Sequence, residues 1–244
     1  MTYNSTFLQK IEYKQIYAHK DWDGVISGGL ILRIFEAPIS FLNRLEKAYQ
    51  SIIIEVPLSM EADIEKSLII DHHDCKKGPL RDAHFGNIVI CDESYGSVAS
   101  LIYDYFELDI PENILDALDD VEAGLIEENE LAEKMFIAFV SSIDKFPYNN
   151  IAELVRMGKW QKILDWINQR ASSKEAELVK KLAKIKAEKA EILTDRIYLI
   201  KYKADDPLEV GAARLALIHI QTHAKIGIIL GTKGIYASCG ILAT

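Results

Sequence analysis

Short apolar runs that stop abruptly at acids or histidines are what most limit the fold of this chain. Ile16-Tyr17-Ala18 runs into His19-Lys20-Asp21-Trp22-Asp23-Gly24, Ile52-Ile53-Ile54 into Glu55, Leu68-Ile69-Ile70 into Asp71-His72-His73, and residues 87–91 into Asp92. The runs are short and apolar throughout rather than alternating, which predicts strands covered on both faces. Helix-patterned segments separate them, so the order of elements predicts an α/β fold built on a parallel sheet. In such a sheet all C-terminal strand ends lie along one edge, where open α/β folds bind ligands. Segments far apart in sequence are thereby predicted to bring carboxylates and imidazoles to one place.

The strands expected are 16–18, 39–42, 51–56, 68–70 and 87–91, giving a parallel five-stranded sheet with flanking helices. Residues 25–35 carry Ile26, Leu30, Ile31 and Ile34 at helical spacing, and short helices are expected over 44–50 and 60–66, the second capped by Ser59. From Ser97 the pattern turns helical, over 98–106, 111–120, 130–143 and 151–170, with Pro111 suited to a first turn. Ser172 and Ser173 cap a long charged helix predicted to reach residue 193, with Leu178, Leu182, Ile185 and Ile192 as its one apolar stripe. Residues 196–202, a helix over 210–223 and strands at 226–230 and 235–238, joined by a Gly231-Thr232-Lys233-Gly234 turn, predict a small C-terminal α/β domain. The domains expected are therefore 1–125, a helical connector over 126–193, and 194–244.

Charge narrows the function. With 37 Asp+Glu against 28 Lys+Arg the chain has a formal net charge of −9, which argues against a protein that coats long duplex nucleic acid and agrees with a carboxylate cluster that holds cations. No run of about 18 apolar residues appears, so no membrane span is expected. The opening Met-Thr-Tyr-Asn-Ser lacks the secretory pattern, and Cys75, Cys91 and Cys239 form no CxxC pair. A reducing cytoplasmic location without a disulfide frame is the expectation, with Cys75 a buried thiol.

Several carboxylates on one sheet edge repel one another strongly unless cations neutralise them. Carboxylates with a few imidazoles and no thiolate cage suit Mn²⁺ or another octahedral divalent ion better than structural Zn²⁺. The candidate ligands are too many for one ion, so two are expected, about 3.5–4 Å apart and sharing a carboxylate. Each piece also has a plainer reading: Asp23 before Gly24 could be a helix cap, His219 and His223 could be two surface histidines, and Trp22 and Phe85 could be buried beside the site rather than stack on a base. The string Asp71-His72-His73 is harder to explain that way, because the chain has only six histidines and a packed core has little use for two adjacent ones.

As an ordered set these residues resemble the DHH phosphoesterase superfamily. Its first motif is matched by His19-Lys20-Asp21-Trp22-Asp23-Gly24, its middle acid by Glu55 in Ile-Ile-Ile-Glu-Val-Pro, its triad by Asp71-His72-His73, and its later Asp by Asp120 in Ala-Leu-Asp-Asp-Val. The resemblance covers about residues 14–125; the remainder looks like the connector and part of the C-terminal domain of RecJ-type relatives. It implies one ion held by His19, Asp21 and Glu55 and another by Asp23, Glu55, His72 and Asp120, with Glu55 bridging and Asp119 a rival for Asp120. Asp71 would orient the neighbouring imidazole and His73 would face the substrate phosphate. Lys76, Lys77 and Arg81 are candidate phosphate contacts. The implied cofactor is Mn²⁺, two ions per site, with Mg²⁺ or Co²⁺ as substitutes.

Two departures stand out: Glu55 replaces the usual Asp, and the chain stops at Cys239-Gly240-Ile241-Leu242-Ala243-Thr244 where the family's glycine-rich segment is expected to begin. The activity implied is a two-metal phosphodiesterase or exonuclease that cuts single-stranded DNA or RNA, or short oligonucleotides, to mononucleotides. The spacing His19-x-Asp21-x-Asp23 favours the RecJ-type branch. The alternatives are a small-substrate phosphatase or nanoRNase-like enzyme, and a non-catalytic scaffold of a replication complex. Replication or repair proteins and a second copy of the chain are the partners such a resemblance suggests.

Overall fold

The structure is a computed structural model that describes Leu8, residues 11–73, Cys75, and residues 86–194, 197–203, 205–221 and 226–231. It divides into two compact units, Met1–Glu122 with Pro147–Ile163, and Ala123–Phe146 with Leu164–Thr244. The segment 126–193, expected from sequence as one connector, is thus shared between the two.

The first unit is built on a parallel sheet of β1 (Gln15–His19), β2 (Ile39–Leu42), β4 (Ser51–Ile54), β6 (Leu68–Asp71) and β7 (Ile88–Cys91), in the order β2-β1-β4-β6-β7. Every strand of β4 and β6 is buried along its length, as their unbroken apolar sequence requires. Helix α1 (Trp22–Ile31) lies on the β1–β2 side, where Gly28 approaches Ala18, Ile39 and Phe41. On another side Ile53 and Ile69 join a core with Leu45, Ala48, Val56 and Ile64. Leu45 and Ala48 come from β3 (Leu45–Tyr49) and Ile64 from β5 (Leu58–Glu65), which pair in parallel as a separate ribbon, while Val56 lies in the link that follows β4.

That ribbon corrects the sequence reading, which expected helices over 44–50 and 60–66. Leu45 and Ala48, three apart, have the spacing of a helical turn, but a helix that short is marginal alone, and in β3 they share the buried face because the register shifts between Leu45 and Lys47. As strands, the two segments satisfy each other's backbone groups while laying Leu45, Ala48 and Ile64 on the sheet. Ser59, expected as a cap, is a buried strand residue instead. Helix α2 (Val98–Phe106) and α3 (Glu112–Ala123) follow.

In the second unit, α4 (Glu130–Val140) follows a 3₁₀ turn at Ile126–Glu128. The helix expected over 151–170 is two, α5 (Tyr148–Arg156) in the first unit and α6 (Trp160–Ala171), which runs from the first unit into the second, divided where Gly158 turns left-handed at φ 66°. Ser173 does cap α7 (Lys174–Glu188) through Ala176 N–H, but the helix stops short of residue 193. Its expected tail is β8 (Glu191–Thr194), antiparallel to β9 (Ile197–Tyr202), which pairs in parallel with β10 (Ile226–Gly231) after α8 (Pro207–Gln221). The predicted strand at 235–238, the turn residues 232–234, Cys239 and the chain end at 240–244 lie outside the described residues. Among the described residues no helix is long and apolar enough to cross a membrane.

Candidate metal centre

β1, β4 and β6 are consecutive in the sheet and parallel, so their C-terminal ends stand side by side at the strand spacing of about 4.8 Å. Ala18 pairs with Ile54 and Ile54 with Ile70. The next residues along the three strands are His19, Glu55 and Asp71, and the register alone brings them to one edge.

Local structure then aims each group. Asp21 is the N-cap of α1, accepting from Gly24 N–H at 2.8 Å, and its other carboxylate oxygen lies against His19 Nδ1. The cap is therefore Asp21, not Asp23. Because the helix has started by Trp22, Asp23 is presented from its first turn and not from an extended chain. Gly24 allows the sharp entry: a Cβ there would stand 2.3 Å from the His19 carbonyl oxygen. Asp23 is fully buried in the first turn, where it accepts from Ser27 Oγ at 2.9 Å and from the main-chain N–H of Val98 and Ala99 at 2.6 and 2.9 Å.

Glu55 leaves β4 in the left-handed region, φ 57°, a conformation that costs a non-glycine residue about 1–2 kcal/mol. Its N–H still extends the ladder to Ile70 O at 3.0 Å, so the side chain is held at the sheet edge. Asp71 accepts from the His73 main-chain N–H at 2.8 Å and from His73 Nδ1 at 3.1 Å. It thus fixes one His73 nitrogen as N–H and leaves the other toward solvent, on a side chain that is 58% exposed. His72 is buried and its Nδ1 lies 3.0 Å from the Tyr95 carbonyl oxygen. A carbonyl only accepts, so Nδ1 carries a proton, and in the neutral ring Nε2 then presents a lone pair.

That lone pair faces carboxylates. His72 Nε2 is 3.8 Å from Glu55 Oε1 and 4.0 Å from Asp23 Oδ2, and both His72 Nε2 and Glu55 Oε2 are buried with no hydrogen-bond partner among the described residues. Acceptors facing acceptors in a buried space repel, and each orphaned atom costs about 1–3 kcal/mol. A divalent cation removes both penalties at once, and a His whose far nitrogen is held by a carbonyl is already set as a metal ligand. The donor set, carboxylate and imidazole without thiolate, fits such an ion.

Among the described residues two groups gather ligand atoms that, within each group, lie within 4.8 Å of one another: Glu55, His72, His73 and Glu122, and His19, Asp21 and Glu55. Glu55 belongs to both. Asp120 is in neither, and α3 brings in Glu122 instead. On a helix, residues three apart share a face, so Glu122 goes with Asp119 and not with Asp120; the Asp119–Glu122 spacing is the signal by which the sequence could have shown it. Asp119 itself accepts from Ser97 Oγ and Ser100 Oγ at 2.5 and 2.9 Å and is in neither group. Asp92, expected near the edge, is exposed and accepts from Ser94 N–H and Oγ.

The electrostatics agree with the packing. Burial first, then the negative charges of Asp23, Asp21 and Glu122, hold the Glu55 carboxyl well above the usual carboxylate range. Glu122 is pushed up in the same way, by burial and then Asp23, Asp21 and Asp119, and Asp23 is raised by burial and Asp21. His73 is raised by its bond to Asp71.

Cys75 and Cys91 are joined by a disulfide with Cα atoms 5.7 Å apart, which corrects the expectation of unpaired thiols. Cys91 ends β7 opposite Asp71 and Cys75 follows Asp71 by four residues, so the strand register brings the sulfurs together. Trp22 is buried, and His219 stands 2.8 Å from Glu127 in the second unit. Lys76, Lys77, Arg81, Phe85 and His223 lie outside the described residues.

No protein-family model and no curated protein matches the sequence. The fold does have counterparts. It superposes on PggH of Vibrio cholerae, a pGpG-specific phosphodiesterase, with a TM-score of 0.52 and 14% identity over 90% of this chain and 79% of that one. It also superposes on RecJ of Thermus thermophilus in complex with Mn²⁺, with a TM-score of 0.50 and 10% identity. The chain shares the fold of these two proteins. The match to RecJ takes in 93% of this chain but only 45% of RecJ, so the chain spans less than half the length of that protein.

Proposed function

We propose that the chain is a divalent-metal-dependent phosphodiesterase that hydrolyses single-stranded nucleic acid or short oligonucleotides. The observation that carries this reading is His72 Nε2, buried and with no hydrogen-bond partner among the described residues, facing Glu55 and Asp23. Glu55, His72 and Glu122 would hold one ion, with Asp23 beside them, and His19, Asp21 and Glu55 a second; Mn²⁺ suits these donors. Asp120 has no ligand place in this reading. When bound, divalent ions supply charge against phosphoryl oxygens and acidify a water.

The protein's own groups do the rest. Asp71 holds the His73 ring through Nδ1, so that Nε2 is presented toward solvent, where it can donate to a phosphate oxygen as charge develops there. Tyr95 O keeps His72 in the tautomer that binds metal. The activity of PggH, a pGpG-specific phosphodiesterase, and the Mn²⁺ complex of RecJ support metal-dependent phosphodiester chemistry on this fold. The 79% coverage of PggH makes dinucleotides the first substrates to try.

The test is hydrolysis of a labelled dinucleotide and of a labelled single strand of about 20 nucleotides, with Mn²⁺ and with chelator. Chelator-sensitive release of mononucleotides that His72→Ala abolishes is expected. Hydrolysis that survives chelation, or that His72→Ala leaves intact, contradicts the reading. Preference for the dinucleotide over the longer strand would place the chain with the small-substrate enzymes.

A further inference from the structure

Resting on that metal-site reading, we propose that Asp119 is a positioning residue: it clamps the segment 95–99, whose main chain in turn sets His72 and Asp23. The segment reaches the site only through backbone atoms. Tyr95 O takes the His72 Nδ1 proton at 3.0 Å, while the N–H groups of Val98 and Ala99 hold the two oxygens of Asp23 at 2.6 and 2.9 Å. Side chains of the segment therefore cannot specify those contacts; whatever fixes its main chain does.

Asp119 is that anchor. Its Oδ1 accepts from Ser97 Oγ at 2.5 Å and from Ser100 Oγ at 2.9 Å. Ser97 is fully buried and caps α2 by accepting from Ser100 N–H at 3.1 Å. Gly96 lies so close that a Cβ would stand 2.6 Å from Asp119 Cγ and 2.8 Å from its Oδ2. One carboxylate on α3 thus grips Gly96, Ser97 and Ser100, which follow directly on Tyr95 and flank Val98 and Ala99. Glu122, one turn further along α3, shares the same anchor.

Both hydroxyl bonds end on one oxygen, so the role depends on an acceptor and not on charge. Asn keeps that acceptor; Ala does not; Gly96→Ala wedges the segment away while leaving Asp119 in place. Mn²⁺ affinity measured by calorimetry is expected to stay within about threefold of wild type in Asp119→Asn, and to fall about 10–100-fold in Asp119→Ala and Gly96→Ala, the range for outer partners of metal ligands. The second readout needs neither metal nor activity. In metal-free protein the imidazole nitrogen NMR shifts of His72 should report the Nδ1–H tautomer in wild type and Asp119→Asn, and depart from it in Asp119→Ala and Gly96→Ala.

Asp119→Asn losing metal as severely as Asp119→Ala overturns the proposal, because Asp119 would then act as a ligand or a charge. An unchanged His72 tautomer and unchanged affinity in Gly96→Ala overturns it too, and that variant decides the matter if Asp119→Ala does not fold. Wild type that binds no Mn²⁺ would sink the proposed function, whereas the tautomer readings would still decide the role of Asp119.

Discussion

Glu122→Gln probes the charge crowding directly, in protein stripped of metal. The ligand atoms of Glu55 and Glu122 lie within 4.8 Å, and two full negative charges at about 4.8 Å repel by about 3.5 kcal/mol at an effective dielectric of about 20. Both carboxyls are held well above the usual range, by burial and then by Asp23 and Asp21. An acid whose folded pKa is raised contributes stability below its unfolded pKa and loses that contribution as pH climbs through the folded value. Metal-free wild type should therefore weaken between about pH 5 and about pH 8, and Glu122→Gln should weaken less. Proton uptake by one carboxyl of the pair already relieves part of the repulsion. The expected advantage of the variant at about pH 8 is thus about 1–2 kcal/mol, roughly 2–8 °C in Tm for a chain of this length. Thermal unfolding in chelator at both pH values measures it. Adding Mn²⁺ should reverse the order, since wild type gains from the ion and the variant gains far less. A variant less stable than wild type in chelator at the higher pH, or one that gains as much from Mn²⁺, refutes the electrostatic reasoning.

Ile54→Ala should cost about 2–5 kcal/mol, read as a lower denaturation midpoint, because Ile54 is fully buried in β4; a loss under about 1 kcal/mol would mean the central strand is not where the core sits. His72→Ala should weaken Mn²⁺ binding beyond the roughly 100-fold typical of an outer partner, and calorimetry showing a smaller loss would remove His72 from the ligand set. Gly24→Ala puts a methyl 2.3 Å from the His19 carbonyl oxygen; stability should fall by about 1–3 kcal/mol and Mn²⁺ affinity with it, and a neutral substitution would show that the turn into α1 is not tightly set.

The sheet was legible because its strands carry the strongest short-range signal, unbroken Ile and Leu between turns. Ile52-Ile53-Ile54 and Leu68-Ile69-Ile70 could not be amphipathic helices, and parallel order then puts the residues that follow them on one edge. The β3–β5 ribbon was not legible, because Leu45 and Ala48 have helical spacing and share one face of the strand only through a register shift between Leu45 and Lys47. Gly158 could have divided α5 from α6 in the sequence, since a glycine after an amphipathic run is a common helix end. At the site, the strings around His19 and His72 announced themselves through scarce histidine. Glu122 did not, because an acid within Asp-Asp-Val-Glu on a charged helix looks like any solvated face until the turn that points inward is known. The partner of Cys91 also depends on register, a property of the folded sheet rather than of cysteine spacing.

The central claim, that buried acceptors at the ends of β1, β4 and β6 exist to hold divalent cations, is tested most directly by anomalous diffraction from crystals soaked in Mn²⁺. A manganese peak bonded to Glu55, His72 Nε2 and Glu122 is the predicted result. Crystals saturated with Mn²⁺ that show no anomalous peak at these residues, or show His72 Nε2 bonded to a water or a protein donor instead, would contradict it.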